Sequence, residues 1–244
     1  SESVDPRWRG LYIAGGVAAI IAVVVFRRHF GTELTLLMDM GIIGMEPPSG
    51  AFDWFALLQD NRFLGLLLLD LFDIVNYLLV GLIFLALYGA LRRANKAAMS
   101  VATASALVGI AVYLASNQAF AMLALSEQYA AASTDAMRAQ FLAAGEALLA
   151  THNPAGVNLG LFLVALAGLI ASVVMLRGRV FGKAAATVGV VANSLVLTYF
   201  VVLPVVPAIA FVFPAASAPF RLLWYILIAR RLFQLGGGAP EVLQ

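Results

Sequence analysis

The chain has 244 residues, of which 63% are hydrophobic and only 11% charged. A soluble domain carries about 25% charged residues, so this composition excludes a water-facing globule. With no cysteine, disulfides, thiolate catalysis and Cys-bound metals are excluded; the net charge of +2 comes with no basic patch of the kind that binds nucleic acid.

Apolar runs of about 20 residues, the length needed to cross a bilayer, recur through the chain. They are continuous, whereas strands of a membrane barrel alternate apolar and polar residues. The reading is all-α: a polytopic transmembrane helical bundle of six spans, forming one transmembrane domain over residues 1–244. The polar start SESVDPRWRG has no cleavage-site pattern after it, so the first run, about 10–26, is read as a retained helix.

A long outer loop, 31–60, follows. Its apolar part at 35–45 is too short to span and is expected to lie in the interface or re-enter. Pro47-Pro48 before Ser49-Gly50 signals a turn, and Trp54 and Phe55 suit an interfacial belt. Span two is placed at about 63–91 and span three at about 97–125. Between spans three and four, STDAMRAQFLAAGEALLA puts Met137, Phe141, Leu148 and Leu149 on one helical face, which makes 134–150 an amphipathic outer helix. Spans four, five and six are placed at about 156–176, 184–206 and 217–235. Pro204, Pro207, Pro214 and Pro219 mark a break or bent connection between the last two. LRRANKAAMSVATAS and LRGRVFGKAAATVGVVANS are both basic turns leading into small-residue helices, a pattern expected of two related parallel hairpins.

Orientation follows from Lys and Arg, which concentrate on the cytoplasmic side. Arg7, Arg9, Arg92, Arg93, Lys96, Arg177, Arg179, Lys183, Arg230 and Arg231 fall on one side; Arg27, Arg28, Arg62, Arg138 and Arg221 fall on the other. Ten of the 15 cations therefore place both termini in the cytoplasm.

The most informative stretch is LLLLDLFDIVNYLLVGLIF at 66–84. Asp70 and Asp73 share a helix face at i, i+3, Tyr77 continues it, and Asn76 lies one position off. Counted from residue 62 inward, Asp70 lies about 12 Å deep and Asn76 near the midplane. A charged Asp at the centre of a span costs roughly 2.5–3.5 kcal/mol. Both acids are thus expected to face the interior, with Asn117, Gln118 and Arg221 as partners at matching depth and Tyr113, Ser116, Asn158, Asn193, Ser194, Thr198 and Tyr199 nearby. One reading makes this cluster an interhelical pin; the other makes it a site for a small solute, an ion or a proton.

His29 and His152 have no metal-ligand spacing, and no metalloprotease, serine-hydrolase or phosphate-loop motif occurs. No metal, cofactor or catalytic residue is therefore assigned. Gly15-Gly16, Gly168 with Ser172, and Ala185 with Gly189 suit close helix packing, and Trp224-Tyr225 reads as lipid-facing.

Residues 60–96 (DNRFLGLLLLDLFDIVNYLLVGLIFLALYGALRRANK), 113–150, 174–193 and 222–236 together resemble a family of six-helix bacterial integral membrane proteins known only as a domain of unknown function. The resemblance covers nearly the whole chain; its most distinctive part is the SEQYAAASTDAMRA segment. It implies a multi-pass protein of the bacterial inner membrane and no activity, cofactor or catalytic residue. The expected role is non-enzymatic: an accessory or scaffold subunit that binds the bilayer and a membrane-protein partner, a lipid or a second copy of itself. A transporter using Asp70 and Asp73 is the alternative, and an intramembrane enzyme acting on lipid the lesser one.

Overall fold

The computed structural model describes residues 6–29, 48–69, 71–150 and 155–237. The described residues form helices and turns and contain no strand. After a 3-10 turn at Pro6–Trp8 come α1 (Arg9–His29), α2 (Ala51–Asp60), α3 (Arg62–Leu68), α4 (Leu71–Leu91), α5 (Lys96–Ser116) and α6 (Ala119–Ala131). They are followed by α7 (Asp135–Ala150), α8 (Ala155–Arg177), α9 (Lys183–Val202), α10 (Pro207–Ala210) and α11 (Val212–Gly237).

Among the described residues, five stretches are long and apolar enough to cross a membrane. They contain α4, α5 with α6, α8, α9, and α10 with α11; α1 contributes a shorter apolar stretch, Arg9–Val25. Their lipid-ready character shows in the large apolar side chains left uncovered, among them Val24, Leu78, Val101, Val108 and Val201. The six long helices pack as a ring. α1 lies against α4 and α11, α4 against α5, α5 against α8, α8 against α9, and α9 against α11. The last long helix thus returns to the first.

Small residues set the spacing. A Cβ on Gly109 of α5 would sit 2.8 Å from the carbonyl oxygen of Gly160 on α8, and a Cβ on Gly160 would sit 2.8 Å from that of Gly109. The two backbones nearly touch, which is how helices associate in lipid, where no hydrophobic drive is available. Gly15 meets the Ala86 methyl of α4 in the same way, and Gly189 of α9 meets Ser172 and Trp224. The pairing of Gly168 with Ser172 takes a different form: the Ser172 hydroxyl donates to the Gly168 carbonyl, and the space above Gly168 is filled by Asn193.

The charged groups separate along the ring axis. Arg92, Arg93 and Lys96 lie at the turn from α4 to α5, Arg177 and Lys183 at the turn from α8 to α9, and Arg230 and Arg231 near the end of α11. This is the basic end. Trp8 fits there over Gly89, whose Cβ would lie 2.6 Å from the indole, and Arg92 stacks on the indole at 4.5 Å. Every described carboxylate lies elsewhere: Asp53 and Asp60 on α2, Asp73 in the first turn of α4, Glu127 on α6, Asp135 and Glu146 on α7.

Several expected boundaries are corrected. The expected second span is two helices. Leu69 leaves helical geometry at φ −92°, ψ 31°, at a point where the sequence supplies Asp70, a residue type that favours helix starts over interiors. The third expected span ends at Ser116. Asn117 adopts extended geometry at φ −73°, ψ 131°, and its side-chain oxygen accepts the backbone N–H of Ala119, closing a turn into α6. The end of the expected outer loop, from Ala51, is helix α2, and Phe55 is not an interfacial residue but fully buried. α9 stops at Val202, ahead of Pro204, and α11 starts at Val212 with Pro214 in its first turn, so only a short connection interrupts the chain there. Pro219 sits inside α11. The expected 35–45 segment, His152 and the side chain of His29 lie outside the described residues.

At the end opposite the basic one, α2, α3, α6 and α7 form a separate cap with its own core of Phe55, Leu58, Leu66, Leu69, Ala119 and Met122. α5 alone is 21 residues, about 30 Å long, which matches the hydrocarbon thickness before α6 begins. α7 lays Phe141, Leu142, Leu148 and Leu149 on this core, while Met137 stays exposed. Gly50, at the N-cap of α2, supplies no side chain. Instead Glu146 of α7 accepts the Ala51 N–H at 2.7 Å, tying the two helices. Arg62 and Glu127 form an ion pair between α3 and α6.

Candidate functional site

The break at Leu69 relocates Asp73. The span begins at Leu71, so Asp73 lies in the first turn of α4 and Asn76 about 8 Å in, not at the midplane. A carboxylate in the first turn of a helix meets the positive end of the helix dipole and uncovered backbone N–H groups, which lowers the cost of holding it there. Asp70 itself lies outside the described residues.

Three side chains from three helices reach the same level. Counting 1.5 Å per residue from the basic end, Asp73 is about 27 Å along α4, Tyr113 about 26 Å along α5 and Arg221 about 24 Å along α11. The Tyr113 hydroxyl donates to an Asp73 carboxylate oxygen at 3.2 Å. One turn further along α4, the Tyr77 ring stacks on the Tyr113 ring, with centroids 3.8 Å apart and planes 12° from parallel. Asp73, Arg221 and Tyr225 all lie within electrostatic reach of Tyr77, and Arg221 also acts on Tyr225. Asp73, Tyr113 and Arg221 each take part in further interactions.

The remaining expected members divide. Asn76 is half-buried, and its side-chain oxygen is buried with no donor facing it. Asn117 does not join: it is used in the turn between α5 and α6. Gln118 begins α6 without capping it. Ser116 donates to the Val112 carbonyl, Thr198 to that of Ser194 and Asn193 to that of Gly189, each one turn back on its own helix.

Trp224 and Tyr225 are not lipid-facing: they are 3% and 5% exposed. With Ile228, Ala229 and Leu232 they form the buried face of α11, a periodic signal the sequence contains at i, i+1, i+4, i+5 and i+8. Tyr225 is the residue that sequence reasoning left out of the cluster. The Trp224 N–H points at Gly189 and is buried without an acceptor.

Comparison of the chain with protein-family models, with curated proteins and with solved structures gives no match.

Proposed function

We propose that this is a non-enzymatic integral membrane protein of six spans, an accessory or scaffold subunit that binds a partner within the bacterial inner membrane, with both termini in the cytoplasm. α1 counts as the sixth span because it packs between α4 and α11, both inside stretches long enough to cross. The orientation rests on the basic end, which the positive-inside rule puts in the cytoplasm.

The observation that carries the reading is how the intramembrane polar groups are used. Asp73 is tied to Tyr113, Tyr113 is stacked on Tyr77, and Arg221 acts electrostatically on Tyr77. The two contacts join α4 to α5, and Arg221 of α11, which sits on the far side of α1 in the ring, lies within electrostatic reach of them. That is the work of an interhelical pin. The cap, with its own core, adds a separately packed unit at the opposite end from the basic turns.

Native mass spectrometry on protein extracted gently from its own membrane tests the proposal. A stoichiometric protein partner supports it and identifies the assembly. A chain that emerges alone, with a small molecule that is lost on Asp73→Asn, overturns it.

A second reading, a solute or proton transporter, has one specific observation in its favour: the unpartnered Asn76 oxygen beside Asp73 on the same helix. Two acceptors at that level suit a cation or a hydroxyl-bearing solute. In proteoliposomes, pH-dependent flux that disappears on Asp70→Asn or Asp73→Asn would establish it, and absence of flux in the parent protein rejects it.

A further inference from the structure

A second place in the molecule has the makings of a binding site, and it is far from the acids. At the basic end, α5 and α8 leave a groove of about 340 Å³ lined by Ala98, Leu169, Ile170, Val173 and Val174, with Arg177 at its mouth. That volume falls within the range of about 300–1,000 Å³ usual for ligand sites. The small side chains of Ala98 on α5 and Ala94 in the turn before it make the room on this wall. From Arg177 to Leu169 the groove runs eight residues along α8, about 12 Å toward the middle of the ring.

The character of the lining changes along that path. The mouth holds Asn95 and the exposed guanidinium of Arg177, and Lys96 is the next residue on α5. Asn95 is already engaged, accepting the Ala98 N–H as the cap of α5. No carboxylate among the described residues lies at this end of the molecule. Below the mouth, every lining residue is aliphatic, and Val173 is open to the surroundings of the bundle.

We propose that this groove seats one anionic phospholipid, its phosphate on Arg177 and one acyl chain along Ala98, Ile170 and Val173. The cation stands where headgroups lie and the aliphatic wall where acyl chains lie, so a single amphiphile satisfies both. Negative charge is selected because Arg177 stands exposed at the mouth, with the exposed Lys96 next to Asn95. The site does not depend on the partner proposed above.

The test uses the full-length protein in neutral detergent, titrated with phosphatidylglycerol or phosphatidylcholine and read by native mass spectrometry. One phosphatidylglycerol is expected to bind in preference to phosphatidylcholine. Arg177→Gln should cut that preference about fivefold, the effect of one cation at a lipid surface. Arg179→Gln, an exposed cation at the same end but outside the lining, should leave it unchanged. Ala98→Leu, which fills the acyl seat, should lower occupancy by both lipids. Equal retention of the two lipids by the parent protein overturns the proposal. So does an equal loss with Arg177→Gln and Arg179→Gln, which would mean a diffuse basic belt, or full binding with Ala98→Leu. Arg177→Gln changes an exposed side chain, so its result does not hinge on folding.

Discussion

Alanine at Gly109 or Gly160 tests the closest contact in the ring. The new methyl at 109 would stand 2.8 Å from the Gly160 oxygen and 2.9 Å from Leu163 Cβ; at 160 it would stand 2.8 Å from the Gly109 oxygen and 3.0 Å from Tyr113 Cβ. Ordinary contact starts near 3.4 Å, so α5 and α8 must part by about 0.6 Å. The nearest obstacle in each case is backbone and cannot swing aside. Overpacking of this kind costs about 1–3 kcal/mol, and the exchange of Gly for Ala in a helix returns about 1 kcal/mol. Each single variant should therefore lose roughly 1 kcal/mol. One separation relieves both clashes, so the double variant should lose less than the sum of the two, with a coupling of at least about 0.5 kcal/mol. Reversible unfolding in mixed micelles, followed by circular dichroism, measures all four proteins. Single variants at least as stable as the parent, or strictly additive losses, would refute the reasoning.

Other outcomes follow from particular side chains. In a double-mutant cycle, Tyr113→Phe and Asp73→Ala should couple by about 0.6 kcal/mol, the average for polar pairs in a membrane bundle; independent effects would remove the pin. Thr103 is buried and its hydroxyl has no partner, so the isosteric Thr103→Val should raise unfolding stability by about 1 kcal/mol, and a lowered midpoint would contradict the assignment. Glu146→Ala should destabilise the cap by about 1 kcal/mol through loss of the α2 cap, seen as faster proteolysis within Ala51–Asp60, whereas Glu146→Gln keeps an acceptor and should be milder.

Much of the helical arrangement is legible in the residues. Long apolar runs bounded by Arg and Lys mark α8 and the basic turns, because burial in lipid and charge at its edge are properties of the sequence itself. The breaks at Leu69 and Asn117 are not legible in the same way. Both lie inside apolar runs, and hydropathy does not register a turn made by an Asn side chain. Matching depth sets Tyr113 beside Asp73, to which its hydroxyl donates, since helix rise is constant. It misplaces Asn117, whose turn geometry claims its side chain first. Trp224 and Tyr225 are misread because large aromatics suit lipid and the interior equally, and only the face they share with Ile228 and Leu232 decides. The contact between Gly109 and Gly160 leaves no local trace, because the two residues meet only through the packing of α5 on α8.

The ring has a consequence for the order in which its parts are made. α1 has its second neighbour only when α11 arrives, and residue 236 then comes to rest against Ile13 and Arg9. Until that moment Asp73 is in the membrane without Arg221. Tyr113, in the very next long helix, is an earlier partner, so its hydroxyl stands beside the acid before the guanidinium of α11 reaches this level. A nascent chain stopped before α11 would thus carry an open seam along α1 and lack the guanidinium that stands at the level of Asp73.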